Sequence, residues 1–276
     1  MPNKNIPQEH RDTMVTSYLA GATAKEAASQ FGYSYMACIF ALKQKGIVPR
    51  TNGETHRKYV VDETFFDTID TGAKAYWLGF LTADGTIGYD HIILALQEKD
   101  ISHLHKLTTS LGPNHPVITR ENKLKGNVYR YGQVHIGSKC LATALKHLGV
   151  GERKSFTVRP CEHVTGALLH HYWRGVFDGD GFITLTRSRK VGSIIWLTGL
   201  VGNKEMVTGF ESFIQRFVKA EAIIKPHHRI FMIRYGGVAL PQTILRVLYQ
   251  DATIFLTRKH ECMNEVMNTA IQRVKS

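Results

Sequence analysis

The sequence predicts an α+β protein: a duplicated α-β-β-α-β-β-α unit preceded by a small all-α domain. Three observations carry this. Tyr76-Trp77-Leu78-Gly79-Phe80-Leu81-Thr82-Ala83-Asp84-Gly85 returns as Tyr172-Trp173-Arg174-Gly175-Val176-Phe177-Asp178-Gly179-Asp180-Gly181, with six of ten positions matching. The segments after the two copies run in the same order, as a repeated structural unit requires. Residues 8 to 48 instead carry helical spacing punctuated by glycines.

The order of elements is legible in the pattern. In the N-terminal unit Met14, Val15, Tyr18 and Leu19 share a helical face. Thr23 is placed to cap a helix over Ala24 to Phe31, and Gly32 breaks it. Ser34 opens a third helix, Tyr35 to Lys45, that Gly46 ends. After the first Asp-Gly copy come a strand at Ile92 to Leu96, a helix at Ile101 to Leu111, a strand at Val128 to Ile136 and a helix at Lys139 to Leu148. After the second come Ile194 to Val201, Glu205 to Val218, Ile230 to Tyr235 and Leu240 to Tyr249. The boundaries are then 1–50 for a helix-turn-helix domain, 51–72 for a linker and lead-in, 73–160 for repeat one and 161–276 for repeat two. Residues 49 to 58 are polar with Pro and Gly, as linkers are.

Composition narrows the function. The 276 residues hold 35 Lys+Arg against 23 Asp+Glu, a net charge of +12 that attracts polyanions, nucleic acid first. Residues 1 to 57 carry seven basic and four acidic side chains, so most of the positive charge lies in the duplicated domain. No apolar run spans a bilayer, and the N-terminus reads as neither a secretory nor a transit signal. The four cysteines form no CxxC pair, which fits a reducing compartment. The expected location is intracellular, cytoplasmic or nucleoid-associated, and not secreted.

The repeated motif has physical consequences. Gly79 with Ala83, and Gly175 with Gly179, leave one face of each helix without bulk, so the two helices can pack very closely. Gly85 and Gly181 suit a left-handed residue that stops each helix. Asp84 and Asp180 then sit at helix C-termini, where the dipole disfavours a carboxylate, and close packing brings them together. A divalent cation such as Mg²⁺ (or Mn²⁺) relieves that crowding, with the Ala83 and Gly179 carbonyls as further oxygen donors. Paired carboxylates and metal are the equipment of phosphodiester hydrolysis. A calcium loop at Asp178 to Gly181 fails, because Phe182 and Arg189 stand at ligand positions. The pairs His170-His171 and His227-His228, and Cys161-x-His163, lack the spacing of a zinc finger.

The two segments resemble the paired motifs of LAGLIDADG homing endonucleases in the single-chain form. Trp77 to Gly85 and Trp173 to Gly181 fill all nine motif positions, with Asp84 and Asp180 at the catalytic acid position. The likeness covers about residues 60 to 276, including the Phe66-Asp67-x-Ile69-Asp70 lead-in and Asp251 to Leu256. It implies two helices on a pseudo-twofold axis, a saddle of antiparallel strands on double-stranded DNA, and metal-dependent cutting of both strands across the minor groove by a monomer on a long asymmetric site. It also implies a basic residue near each site, Lys154 and Lys259, with surface lysines as the alternative, and water-positioning residues at Glu98 and Asn203. Thr82 departs from the pattern at the sixth motif position. No Cys or Ser begins the chain and no His-Asn ends it, so an intein is not supported.

DNA-reading side chains belong on strand faces away from the core. Thr184, Thr186 and Ser188 alternate with Ile183 and Leu185, with Lys190 beyond them, and Tyr131, Gln133 and His135 share a face, as does Arg234 in repeat two. Lys25 to Ser34 resembles a helix-turn-helix, which places Ser34, Tyr35 and Lys43 toward DNA. The function expected is a site-specific DNA endonuclease. A regulator or RNA maturase that uses the same saddle without cutting is the alternative.

Overall fold

The computed structural model describes residues 6–50, 59–112, 115–124, 126–151, 157–187, 194–220, 222 and 224–269. The chain divides into two compact units, Met1–Lys58 and Tyr59–Ser276.

The first unit is three helices: α1 (Gln8–Leu19), α2 (Ala24–Ser29) and α3 (Tyr35–Gln44). Thr23 caps α2 in a full capping box: its hydroxyl accepts from Glu26 N while Glu26 accepts from Thr23 N at 2.8 Å. Gly32, at φ +72°, makes the left-handed turn into α3. Met14, Val15 and Tyr18 pack on Ala27, Ala28, Cys38, Ala41 and Leu42. Leu19, the last residue of α1, departs from the expected face and is 64% exposed.

The second unit holds two copies of one topology. Copy one runs α4 (Gly72–Asp84), β1 (Thr86–Ile87), β2 (His91–Gln97), a short 3₁₀ turn, α5 (Ile101–Leu111), β3 (Ile118–Leu124), β4 (Asn127–Gly137) and α6 (Lys139–His147). Copy two runs α7 (Leu169–Asp180), β5 (Gly181–Arg187), β6 (Ile194–Gly202), α8 (Lys204–Ile214), β7 (Lys225–His227), β8 (Ile230–Gly237) and α9 (Ala239–Leu248). Each copy forms a four-stranded antiparallel sheet of the same order, β1-β2-β4-β3 and β5-β6-β8-β7. A further helix, α10 (Thr257–Asn268), comes after copy two and is not among the expected elements. Val61, Phe65 and Phe66 of the lead-in belong to the common core, so this stretch packs rather than links.

Alternation decides which sheet face is covered. Ile92, Leu94, Leu96, Val134 and Ile136 are buried on one face of the first sheet, and Trp196, Thr198, Leu200, Ile233 and Tyr235 on one face of the second. Between the two copies α4 and α7 meet backbone to backbone. A Cβ at Gly79 would stand 2.0 Å from the Tyr172 carbonyl oxygen, and one at Gly175 would stand 2.1 Å from that of Tyr76. The reciprocity is that of a local twofold. Among the described residues no helix is long and apolar enough to cross a membrane.

One expectation changes. Gly85 (φ −70°, ψ 146°) and Gly181 (φ −83°, ψ 167°) are extended, not left-handed. Glycine is required there for space. A Cβ would lie 2.7 Å from the Leu81 oxygen at Gly85 and 2.5 Å from the Phe177 oxygen at Gly181.

Replacing Gly79 or Gly175 by Ala tests the helix contact. Alanine is the better helix former by up to ~1 kcal/mol, so an exposed site would gain stability. Here the methyl meets a carbonyl, and overpacking of ~1–3 kcal/mol or more is expected to dominate. Thermal unfolding that rises or stays level in both variants would show that the backbones are not in contact.

Candidate active site

The helix contact aligns the C-terminal ends of α4 and α7. Asp84 and Asp180 are the last residues of these helices, and both are exposed to solvent. They converge: Asp84 Oδ2 lies 3.3 Å from the position a Gly179 Cβ would take, so its carboxylate rests on the residue before Asp180. That Cβ would also stand 2.3 Å from Cβ of Ala83, so small residues at both positions set the approach. Two carboxylates thus share the negative ends of two helices, where a positive charge is favoured.

Lys259, near the start of α10, reaches the same place. It is only 5% exposed, and its ammonium donates to the carbonyls of Phe177 (2.6 Å), Gly179 (3.3 Å) and Gly181 (2.5 Å). It therefore caps the open end of α7, where unpaired carbonyls collect. Burial pulls its pKa down to about 8, while Asp178, Asp84 and Asp180 act to keep the charge on. All three ammonium protons are committed, so Lys259 is a fixed positive charge beside the acids rather than a mobile one. One of its acceptors is the Gly179 carbonyl, which the sequence offers as a metal donor.

Beneath the acids lies a buried polar network. Asp178, 1% exposed, accepts from the Tyr249 hydroxyl (2.6 Å), the Tyr76 hydroxyl (2.8 Å) and Leu256 N (2.7 Å). Burial pushes its carboxyl pKa up, and Lys259 with these donors opposes the rise. The Tyr76 proton goes to Asp178, so the 2.9 Å contact between Tyr76 Oη and His103 Nε2 makes Nε2 the donor. Arg174, also buried, donates to the carbonyls of Ile254 (3.0 Å) and Leu248 (3.2 Å). Arg258 pairs with the buried Asp100 at 2.9 Å. Asp178, Arg174, Tyr76 and Tyr249 carry no motif signal for such a network, beyond an acid and a guanidinium in an otherwise apolar helix.

The remaining expected residues have varied surroundings. Asn203 is the N-cap of α8: its oxygen accepts from Met206 N at 2.9 Å and its amide donates to Val158 O at 2.7 Å. One donor and one acceptor of this buried amide are thus engaged inside the protein. Glu98 is exposed at the start of the 3₁₀ turn, 3.9 Å from Arg130. Tyr131, Gln133 and His135 share the uncovered face of the first sheet, and Thr184, Thr186 and Arg234 that of the second. In the N-terminal unit Ser34, Tyr35 and Lys43 are exposed. Lys154, Ser188 and Lys190 lie outside the described residues. Among the described residues no group of three or more His, Cys, Asp or Glu side chains is placed to hold a metal.

No family model matches the chain. No curated protein matches it. Among solved structures it is similar to meganuclease I-SmaMI bound to an uncleavable DNA with a TTGT central four, at 13% identity and a TM-score of 0.49, over 71% of this chain and 88% of that one. The LAGLIDADG homing endonuclease I-SmaMI bound to cleaved DNA gives 15% identity and 0.46 over 71% and 88%. Full-length DUF199/WhiA from Thermatoga maritima gives 15% and 0.43 over 77% and 67%.

The buried network carries two testable consequences. Asp178→Ala leaves two hydroxyls and an amide without their acceptor and takes a negative charge from beside the buried Lys259 ammonium, and should destabilise the unit by about 3–5 kcal/mol. Burial, with Lys106 nearby, also holds the His103 pKa at about 3, against 6.5. The unfolded chain takes up that proton between these values and the native state does not. Stability should therefore fall as pH drops through this window, by up to ~1.4 kcal/mol per unit. His103→Gln, which keeps a donor for Tyr76, should flatten the slope. Urea unfolding above and below the window measures the difference, and equal slopes for both proteins would exclude a buried neutral His103.

Proposed function

We propose that the protein is a DNA endonuclease that hydrolyses phosphodiesters of both strands of a duplex with Mg²⁺ (or Mn²⁺). It acts as a monomer on a long asymmetric site, as a homing endonuclease of the two-motif kind does. The single observation that carries the reading is the convergence of Asp84 and Asp180 at the ends of two helices in backbone contact. A binding surface has no use for two carboxylates crowded at negative helix ends within a protein of net charge +12.

The reading gives each group a role. Asp84 and Asp180, with the Ala83 and Gly179 carbonyls, are the groups that would hold the cation. When bound, it supplies charge neutralisation at the leaving oxygen and a more acidic water. Lys259 supplies a positive charge on the α7 side, offsetting the negative end of that helix and the Asp180 carboxylate beside it. Lys154 is proposed for the corresponding place in copy one. The outward faces of the two sheets, each led in by its own acid-bearing helix, carry the DNA contacts. The N-terminal three-helix unit adds contacts of its own through α3.

Asp84→Asn and Asp180→Asn should each retain DNA binding and abolish double-strand cutting. Both changes keep the side-chain shape and remove a charge. Cleavage and gel-shift assays on a selected DNA target, with and without Mg²⁺, test this. Full cutting by either variant would exclude the paired-acid site, and binding without any cutting by the wild-type protein would favour a non-cutting regulator. Removing residues 1–58 should lower affinity and flatten its salt dependence, because exposed Lys25 and Lys43 are lost. The cut position should not move. Unchanged affinity and salt slope would remove α3 from the DNA contacts.

A further inference from the structure

The two sheets present different chemistry on their uncovered faces. On the central strands of the first sheet, register places His91, Gln97, Tyr131, Gln133 and His135 outward with Ile93, Ala95 and Gly137, so five of these eight can form hydrogen bonds. The same positions in the second sheet pair Leu197 with Gly236, Gly199 with Arg234 and Val201 with Met232, with Ile195 next in line. Arg234 is the one hydrogen-bonding side chain among them.

This apolar surface is not core. The buried cluster and the hydrophobics packed against it include Trp196, Leu200, Ile183 and Phe231 from the same strands, all on the opposite face. Ile195, Leu197, Val201, Met232 and Phe182 stand outside it, half-buried against one another. Phe182 Cζ lies 2.9 Å from where a Gly199 Cβ would be, and Leu197 Cδ2 lies 2.9 Å from that of Gly236. The glycines leave bare backbone, and neighbouring apolar side chains lie across it.

Something of mixed character fits here. Lys225, His227 and Arg234 line a shallow pocket with Met232 at the edge of the patch. The occupant therefore offers negative charge beside small apolar groups. A second copy of this chain would bring like charge against like charge, since both carry a net +12. β5 leaves α7 directly after Asp180, so a strand held at that carboxylate runs on to the outward face of Phe182, Thr184 and Thr186. In duplex DNA the small apolar group on a base edge is the thymine methyl, which lies in the major groove and is read by apolar contact.

Resting on the endonuclease reading, we propose that the two repeats read their half-sites by different chemistry. Copy one reads base edges through hydrogen bonds from Gln97, Tyr131, Gln133 and His135. Copy two reads thymine methyls through Leu197, Val201 and Met232 on its central strands, with Arg234 as the polar contact among them.

The test uses the full chain. A preferred duplex is selected from a randomised pool, and thymines are replaced by deoxyuridine in one half at a time, which deletes the methyl alone. In one half the replacement should raise Kd about fourfold per contacted methyl. In the other it should leave Kd unchanged. Leu197→Ala should bring thymine and deoxyuridine to parity in the sensitive half only, and Val201→Ala serves as a second variant. Both positions lie off the core, so both proteins should melt as the wild type does. Gln133→Ala should relax base choice in the insensitive half. Uracil tolerated in both halves, or penalised equally whatever stands at position 197, would overturn the proposal and leave the endonuclease reading intact. A DNA-free dimer that Leu197→Ala dissociates would also overturn it, by giving the patch another occupant. A pool that yields no preferred sequence would overturn both.

Discussion

The structure hangs on one close approach, the backbone contact of α4 and α7. Helix axes come this near only where Cβ atoms are missing, and Gly79 and Gly175 supply the gap from opposite sides. With the axes fixed, the helix ends fall side by side, and Asp84 comes to rest on Gly179. Each helix also delivers the chain into its own sheet, through Thr86 in one copy and Gly181 in the other. The contact thus sets both where the acids meet and where the sheets begin. Any side chain at either glycine alters both at once.

One buried apolar cluster runs through both copies, and polar groups tie the junction as well. The segment from Ile254 to Lys259 is tied almost residue by residue. Arg174 takes the Ile254 carbonyl, Lys106 the Phe255 carbonyl at 2.8 Å, Asp178 the Leu256 amide and Asp100 the Arg258 guanidinium. Lys259 then closes the end of α7. Lys106 and Asp100 come from copy one, and Arg174 and Asp178 from copy two, so this stretch stitches the halves together. Buried charges without partners are costly, which is why every member of the set has a partner or an acceptor.

Local pattern made the repeat legible. Alternation located the central strands and helical spacing the helices, because each copy has one covered and one open face. The close helix contact was legible too, since glycine and alanine at a spacing of four have few other uses. The buried network was not, because its members are scattered from Tyr76 to Lys259 and meet only when the chain folds. For the same reason α10 escaped notice: its buried residues Lys259 and Val266 make no apolar stripe. Gly85 and Gly181 show how a correct residue can carry the wrong reason. Both end a helix, but they answer to the Leu81 and Phe177 carbonyls rather than to a positive φ. Asn203, a polar residue just before a helix, is its N-cap.

The duplication is strict where the copies touch and loose elsewhere. At the sixth motif position copy one has Thr82, whose hydroxyl folds back to the Leu78 carbonyl at 2.7 Å, and copy two has Asp178. The paired tyrosines each reach this position in the other copy: Tyr76 donates to Asp178, while Tyr172 is hydrogen-bonded to Thr82 and also accepts from Cys161 N at 3.2 Å. In copy two the carboxylate itself takes the main-chain amide, at Leu256. The aspartate in copy two brings a buried negative charge, and Arg174 and Lys259 gather around it, whereas Leu78 occupies the position of Arg174 in copy one. Glycine at the crossing admits no substitute, because any substituent meets backbone. The layer beneath it tolerates exchange, provided each buried polar atom finds a new partner. The two carboxylates at the helix ends therefore keep a common geometry while the groups beneath them differ. The same freedom, further from the axis, gives the central strands of one sheet more hydrogen-bonding groups on their outward face than those of the other.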